Sequence, residues 1–133
     1  MKVSKEIYNK LMNNSLDYKI NKYHNKKVYA YGREWDSKKE LHRYEQLRLM
    51  EKAGLIKDIE IQPKFLLLDT IRHNGKTYPK TYYIADFKYW SNELNSMVVE
   101  DVKSEATRKD KTYRLKVKMF LSKYDNVIFK EVL

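Results

Sequence analysis

The chain has 133 residues and no cysteine, which excludes a disulfide framework, a thiolate zinc site and a cysteine nucleophile. A 42% hydrophobic share with 14% aromatics excludes disorder although 35% of residues are charged, and the length fits one domain with a real core. The 28 Lys and Arg against 18 Asp and Glu leave a formal charge of +10, with 12 tyrosines among the bases, and that balance points to a polyanionic partner. A merely soluble basic protein would carry the same charge. No lipidation motif, amphipathic anchor or long apolar run accompanies it, so a membrane is not the expected partner. The first residues lack the apolar core of a secretory signal, and the expected location is the cytoplasm.

Ser4 to Met12 has helical spacing in Ile7, Tyr8, Leu11 and Met12 but ends in NNS. The basic, tyrosine-rich run after it predicts a short strand over Val28 to Tyr31, just before Gly32. Residues 1–33 are thus read as a basic N-terminal arm, and residues 34–133 as the core.

In WDSKKELHRYEQLRLMEKAG, Asp36 or Ser37 fits an N-cap, and Leu41, Tyr44, Leu47 and Met50 form an apolar stripe. Gly54 sits where a left-handed C-terminal residue belongs. A strand is expected from Ile59 to Leu68, with Pro63 marking an edge or a bulge. Asn74-Gly75 accepts the positive φ of a tight hairpin turn, and a second strand follows from Thr81 to Trp90. MVVEDVKS supplies a third. From Thr107 to Tyr124 the period changes to helical, with Tyr113, Val117, Phe120, Leu121 and Tyr124 on one face. Arg108, Lys111, Arg114 and Lys118 run along a neighbouring ridge suited to phosphates. NVIFKEVL closes with a strand pattern. The order is helix, three-stranded meander, helix, strand.

Asp86 interrupts YYIADFKYW, as Asp101 and Lys103 interrupt VVEDVKS. Alternation puts Asp101 and Lys103 on one face of their strand and Glu100 on the other. A short turn between the strands lets Asp86 lie close to Asp101. Two adjacent carboxylates repel unless one is protonated or a cation is recruited, and an oxygen-only donor set suits Mg²⁺ or Mn²⁺. Lys103 could then orient a water or stabilise charge on a phosphate. A solvated Asp–Lys ion pair is the plainer alternative for the triplet alone.

The element order and these residues together resemble the PD-(D/E)XK nuclease superfamily. Blocks such as WDSKKELHRYEQL, IQPKFLL, YYIADFKY and VVEDVKS further resemble a family of small proteins encoded by phages and prophages of Gram-positive bacteria, over roughly Lys26 to Val132. The resemblance implies an α/β, restriction-endonuclease-like αβββαβ core with a mixed sheet flanked by helices. It implies a metal-dependent DNA endonuclease in which Glu40, Asp86, Asp101 and the Val102 carbonyl hold one or two Mg²⁺ ions. Lys103 would activate water, leaving 5′-phosphate and 3′-hydroxyl ends. Ala85 stands where the superfamily name has proline. Glu40 also completes Ser37-x-x-Glu40, a capping box that needs no chemistry, and Glu45 is the alternative helix acid.

The expected substrate is branched DNA such as a four-way junction, cut in pairs by a homodimer. Sequence-specific or nicking cleavage, and a non-catalytic DNA-binding module with a vestigial site, stay open. His24, His42 and His73 lack ligand spacing, and no phosphate-cradling glycine loop is present.

Overall fold

The computed structural model describes residues 19–20 and 26–133, so the helix expected over Ser4 to Met12, and His24, lie outside the described residues. The chain divides into two units, Met1–Arg48 and Leu49–Leu133, with the division inside a helix. Both contribute to a mixed α/β fold.

In the first unit, β1 (Lys19–Ile20), β2 (Lys26–Ala30) and β3 (Arg33–Trp35) form an antiparallel sheet, turning at Tyr31-Gly32 with positive φ at both. Helix α1 (Lys38–Lys52) follows. Ser37 caps it: its Oγ accepts the Glu40 N–H at 3.1 Å. Of the predicted stripe, Tyr44 and Leu47 are buried with Val28 and Trp35, whose ring lies 4.8 Å from that of Tyr44. Trp35 also donates its indole N–H to the Ala30 carbonyl at 2.8 Å. Across the unit division α1 ends as Gly54 predicts. At φ +76°, Gly54 lets its own N–H reach the Glu51 carbonyl and the Leu55 N–H reach that of Met50, both at 3.0 Å.

The second unit is organised by one long hairpin with two corners. The strands expected at Ile59–Leu68 and Thr81–Trp90 are each broken in two, a correction to the sequence reading. The first becomes β4 (Ile56–Ile61) and β5 (Lys64–Leu68); the second becomes β8 (Thr81–Ile84) and β9 (Phe87–Ser91). Between β5 and β8 the chain runs out through β6 (Ile71–His73) and back through β7 (Lys76–Tyr78), turning at Asn74-Gly75 with φ of 49° and 75°. The pairing register passes through both breaks with little slippage: Ile61 faces Phe87, Lys64 faces Ile84, Leu68 faces Thr81 and Ile71 faces Tyr78. The chain has two prolines. Pro63 stands in the inner break and Pro79 in the outer one, and a residue without an N–H cannot donate to a ladder. At the inner corner the chains stay joined, Gln62 N–H to Asp86 O at 2.9 Å and Ala85 N–H to Pro63 O at 3.1 Å. A bulge at Asp58, φ 59°, further twists β4.

β9 and β4 continue into a mixed four-stranded sheet, order β11-β10-β9-β4. β10 (Ser96–Val102) pairs antiparallel with β9 and parallel with β11 (Val127–Val132). The connection from β10 to β11 carries α2 (Glu105–Arg108) and α3 (Lys111–Lys123) where one helix was expected. The break lies at Lys109-Asp110: the Asp110 carboxylate accepts the Tyr113 N–H at 2.9 Å and starts a new helix. Helix α3 buries Phe120 in a cluster with Leu67, Tyr83, Ala85 and Val99, with Tyr113, Val117 and Tyr124 half-buried around it. Leu121, expected on that face, is exposed instead.

Candidate active site

β10 enters the sheet's interior, and Val98, Val99, Glu100 and Asp101 are all buried. Opposite register with β9 gives Glu100 and Val98 the face of Tyr89, and the Glu100 carboxylate accepts the Tyr89 hydroxyl proton. Asp101 faces the other way, as alternation predicts.

Asp101 is 1% exposed yet fully engaged. Its Oδ1 lies 3.1 Å from Lys103 Nζ, and its Oδ2 accepts the Tyr83 hydroxyl. Burying a carboxylate without such partners would be strongly unfavourable. Lys103 Nζ also sits 4.6 Å from the centre of the Tyr113 ring, whose negative face suits an ammonium.

Asp86 comes to the same place by a different route. The β9–β10 ladder stops at Glu100 opposite Phe87, one step before Asp86 would pair with Asp101. At the inner corner the Asp86 N–H still donates to the Glu100 carbonyl at 3.0 Å, while its Oδ2 accepts the Val102 N–H at 2.6 Å. The aspartate thus replaces a strand at the end of β10. On the far side Lys103 N–H donates to Val132 O at 2.8 Å, so β11 holds the other edge of the same residues.

Asp101, Lys103, Tyr83 and Tyr113 line a cleft of about 290 Å³ with Tyr82, Ile84, Asp110, Thr112 and Lys116. Burial raises the pKa of Tyr83 well above the ordinary tyrosine range, and the Asp101 charge and hydrogen bond add to it. Tyr113 is raised in the same sense by burial first, then by the Asp101 and Glu131 carboxylates. Both hydroxyls therefore stay protonated when free tyrosines ionise. Unfolded, Tyr83 would release its proton near pH 10, so its contribution is complete below that pH and is lost as pH rises above it. Alkaline denaturation curves should show Tyr83→Phe flattening the fall of stability above pH 10 by up to about 1.4 kcal/mol per pH unit. An unchanged slope would mean that Tyr83 ionises freely in the folded state.

The residues predicted to act together are thus joined in part. Asp86, Asp101, Val102 and Lys103 meet around the end of β10. Glu40 is buried in the first turn of α1, in the first unit, with the capping half of its box present; Glu45 is exposed. Arg108, Arg114 and Lys118 line a groove of about 640 Å³ along α3 with Lys109, Tyr113 and Glu131. Lys111 is exposed but does not line that groove, and Lys109 takes its place.

Sequence reasoning missed Tyr83 and Glu131. Strict alternation from Asp86 sends Tyr83 to the opposite face; the corner at Ala85-Asp86 swings it back to Asp101. Glu131 stands in register beside Asp101 on β11, a pairing that only the parallel register reveals.

Among the described residues no three His, Cys, Asp or Glu side chains converge as a metal-holding group. No helix among them is long and apolar enough to cross a membrane. No curated protein and no solved structure matches the chain. A family profile matches residues 20–132, nearly all that the fold comprises, so the chain belongs to the family described as "Protein of unknown function (DUF1064)".

Proposed function

We propose that the protein is a metal-dependent DNA endonuclease of the restriction-endonuclease-like fold. The observation that carries this reading is the meeting of three groups around the end of β10: buried Asp101 and Lys103 line a cleft, and Asp86 is anchored beside them on the Val102 N–H, with a basic groove along α3 sharing Tyr113 with that cleft. The helix–meander–helix–strand order supports the same reading, with α3 and β11 following the site strand as the resemblance implies.

The donors present are all oxygens: two carboxylates and the Val102 carbonyl. That set fits Mg²⁺ or Mn²⁺, which keep several waters and need only one or two protein carboxylates. When bound, such an ion would polarise the scissile phosphate and acidify a water.

The chain's own groups do the rest. Asp86 is fixed by the Val102 N–H, so its second oxygen has a defined direction. Asp101 is held by Tyr83, a donor that burial keeps protonated. Lys103 offers its remaining protons to the attacking water or to the phosphate oxygens as negative charge grows on them. Attack at phosphorus breaks the bond to the 3′ oxygen, which takes up a proton and leaves as the hydroxyl, with the phosphate on the 5′ end. Branched DNA and paired cuts by a homodimer are carried by the resemblance alone, as is a metal-binding role for Glu40.

Labelled linear, flapped, forked and four-way DNAs incubated with Mg²⁺ or with EDTA test the reading. Mg²⁺-dependent cleavage of at least one of them is expected. Salt-dependent binding of every form with cleavage of none would leave a DNA-binding module with a vestigial site. Replacing Arg114 and Lys118 by glutamine should lower the slope of log affinity against log salt by about 0.9 for each phosphate no longer neutralised. A slope that did not move would remove the α3 groove from the interface.

A further inference from the structure

The outer part of the long hairpin has no role in the core. Every residue from 69 to 80 is exposed, and β6 and β7 pair only with each other. An isolated two-stranded ribbon is marginally stable in water. Its retention as a paired, register-locked ladder calls for a partner.

The charge says which kind. Arg72, Lys76 and Lys80 stand against a single acid, Asp69, with His73 beside the turn. The pairs are Ile71 with Tyr78, Arg72 with Thr77 and His73 with Lys76. Alternation then puts His73 and Lys76 on one face and Arg72 on the other. Cations on both faces do not suit a flat anionic surface, which meets one face only. They suit a groove walled by phosphates on both sides. A B-DNA major groove admits a two-stranded ribbon. Ile71 and Tyr78, both about half exposed, add an apolar pair of the kind that packs against thymine methyls.

The ribbon's position links it to the cleft. It springs from β5 and β8, which pack on α3 through the Phe65, Tyr83 and Phe120 rings and through the Tyr124 hydroxyl bonded to Leu66 O at 3.1 Å. Asp86 lies eleven positions along the chain from Gly75 at the tip, a reach of at most about 37 Å. One turn of duplex is also about 34 Å.

We propose that the β6–β7 ribbon is a DNA-contacting arm that enters the major groove within about one helical turn of the phosphodiester held at Asp101. The proposal rests on the nucleic-acid reading above and names the surface that positions the duplex.

The test uses the full-length chain and the variant Arg72→Gln/Lys76→Gln/Lys80→Gln, whose changes touch no core residue. Affinity for a fluorescent 30-base-pair duplex is measured across a salt series, with circular dichroism melts as the folding control. Dimethyl sulfate protection then reports guanine N7, which lies in the major groove. The expected result is an unchanged melt and a salt slope lower by two to three, at about 0.9 per phosphate contact. Loss of N7 protection within about one turn of the site should accompany it. If the wild type binds duplex and the variant matches it in slope and protection, the ribbon proposal fails while the nuclease reading stands. If the wild type binds no DNA at any salt concentration, both fall. Protection confined to adenine N3 in the minor groove would also overturn the proposal.

Discussion

Asp101→Asn should lower cleavage by about a thousandfold or more while leaving DNA affinity within a few-fold of wild type. The carboxylate is 1% exposed and both oxygens are committed, one to Lys103 at 3.1 Å and the other to Tyr83. An amide has one acceptor oxygen and one donor nitrogen. Whichever way it is turned, either Tyr83 or Lys103 faces an N–H and is left without its acceptor. The substitution therefore removes the negative charge that the proposed site needs and misdirects the lysine at once. A buried group left unsatisfied accounts for about 1–3 kcal/mol, which a thermal melt would register as a modest shift and not as unfolding. Cleavage measured on folded protein decides the matter: retained activity would move the chemistry away from β10, whatever the enzyme class.

Phe120→Ala should destabilise the protein by about 3–5 kcal/mol. Phe120 is fully buried, with Phe65 at 4.7 Å, Tyr124 at 5.2 Å and Tyr83 at 5.3 Å between ring centres. Truncation removes the transfer energy of the ring and leaves a cavity that its aromatic neighbours cannot fill without leaving their own places. A domain this size holds only some 5–15 kcal/mol in all, so a fall in melting temperature of about 10–25 °C is expected by calorimetry. A shift of only a few degrees would mean that the cluster collapses onto the space. Tyr83 packs against this ring and donates to Asp101, so the same variant should lose activity below its melting point.

What the sequence made legible follows from how local the signals are. Helix α1 could be read because cap, stripe and terminal glycine lie within one window, and Ser37 and Gly54 act as their residue types require. The Asn74-Gly75 turn is local in the same way. The corners were not legible. IEIQPKFLLLD and YYIADFKYW each look like one strand because apolar residues flank the break on both sides. Only the opposed chain shows that Pro63 and Asp86 bend together. The division of the last helix failed for a similar reason: the apolar spacing continues across Lys109-Asp110, and the Asp110 cap competes with it locally. Of the candidate site, Asp101 and Lys103 followed from strand alternation. Tyr83 required the bend, and Glu131 required the parallel register. Glu40 followed from the resemblance, and its burial fits either a structural or a chemical role.

The two neighbours of β10 differ in how they are reached along the chain. β9 is joined to it by the turn at residues 92–95, whereas β11 returns only after residues 103–126. Closing the longer loop costs roughly 1.5 kcal/mol more in chain entropy, and parallel pairing gives slightly less per residue in return. β11 is thus an edge strand that can open without disturbing the β9 side of β10. Its release would free the Lys103 N–H and uncover the Asp101 edge while the β9 ladder and the Asp86 anchor held. The buried Asp101 carboxylate would then reach more water by the opening of one strand, without unfolding of the domain.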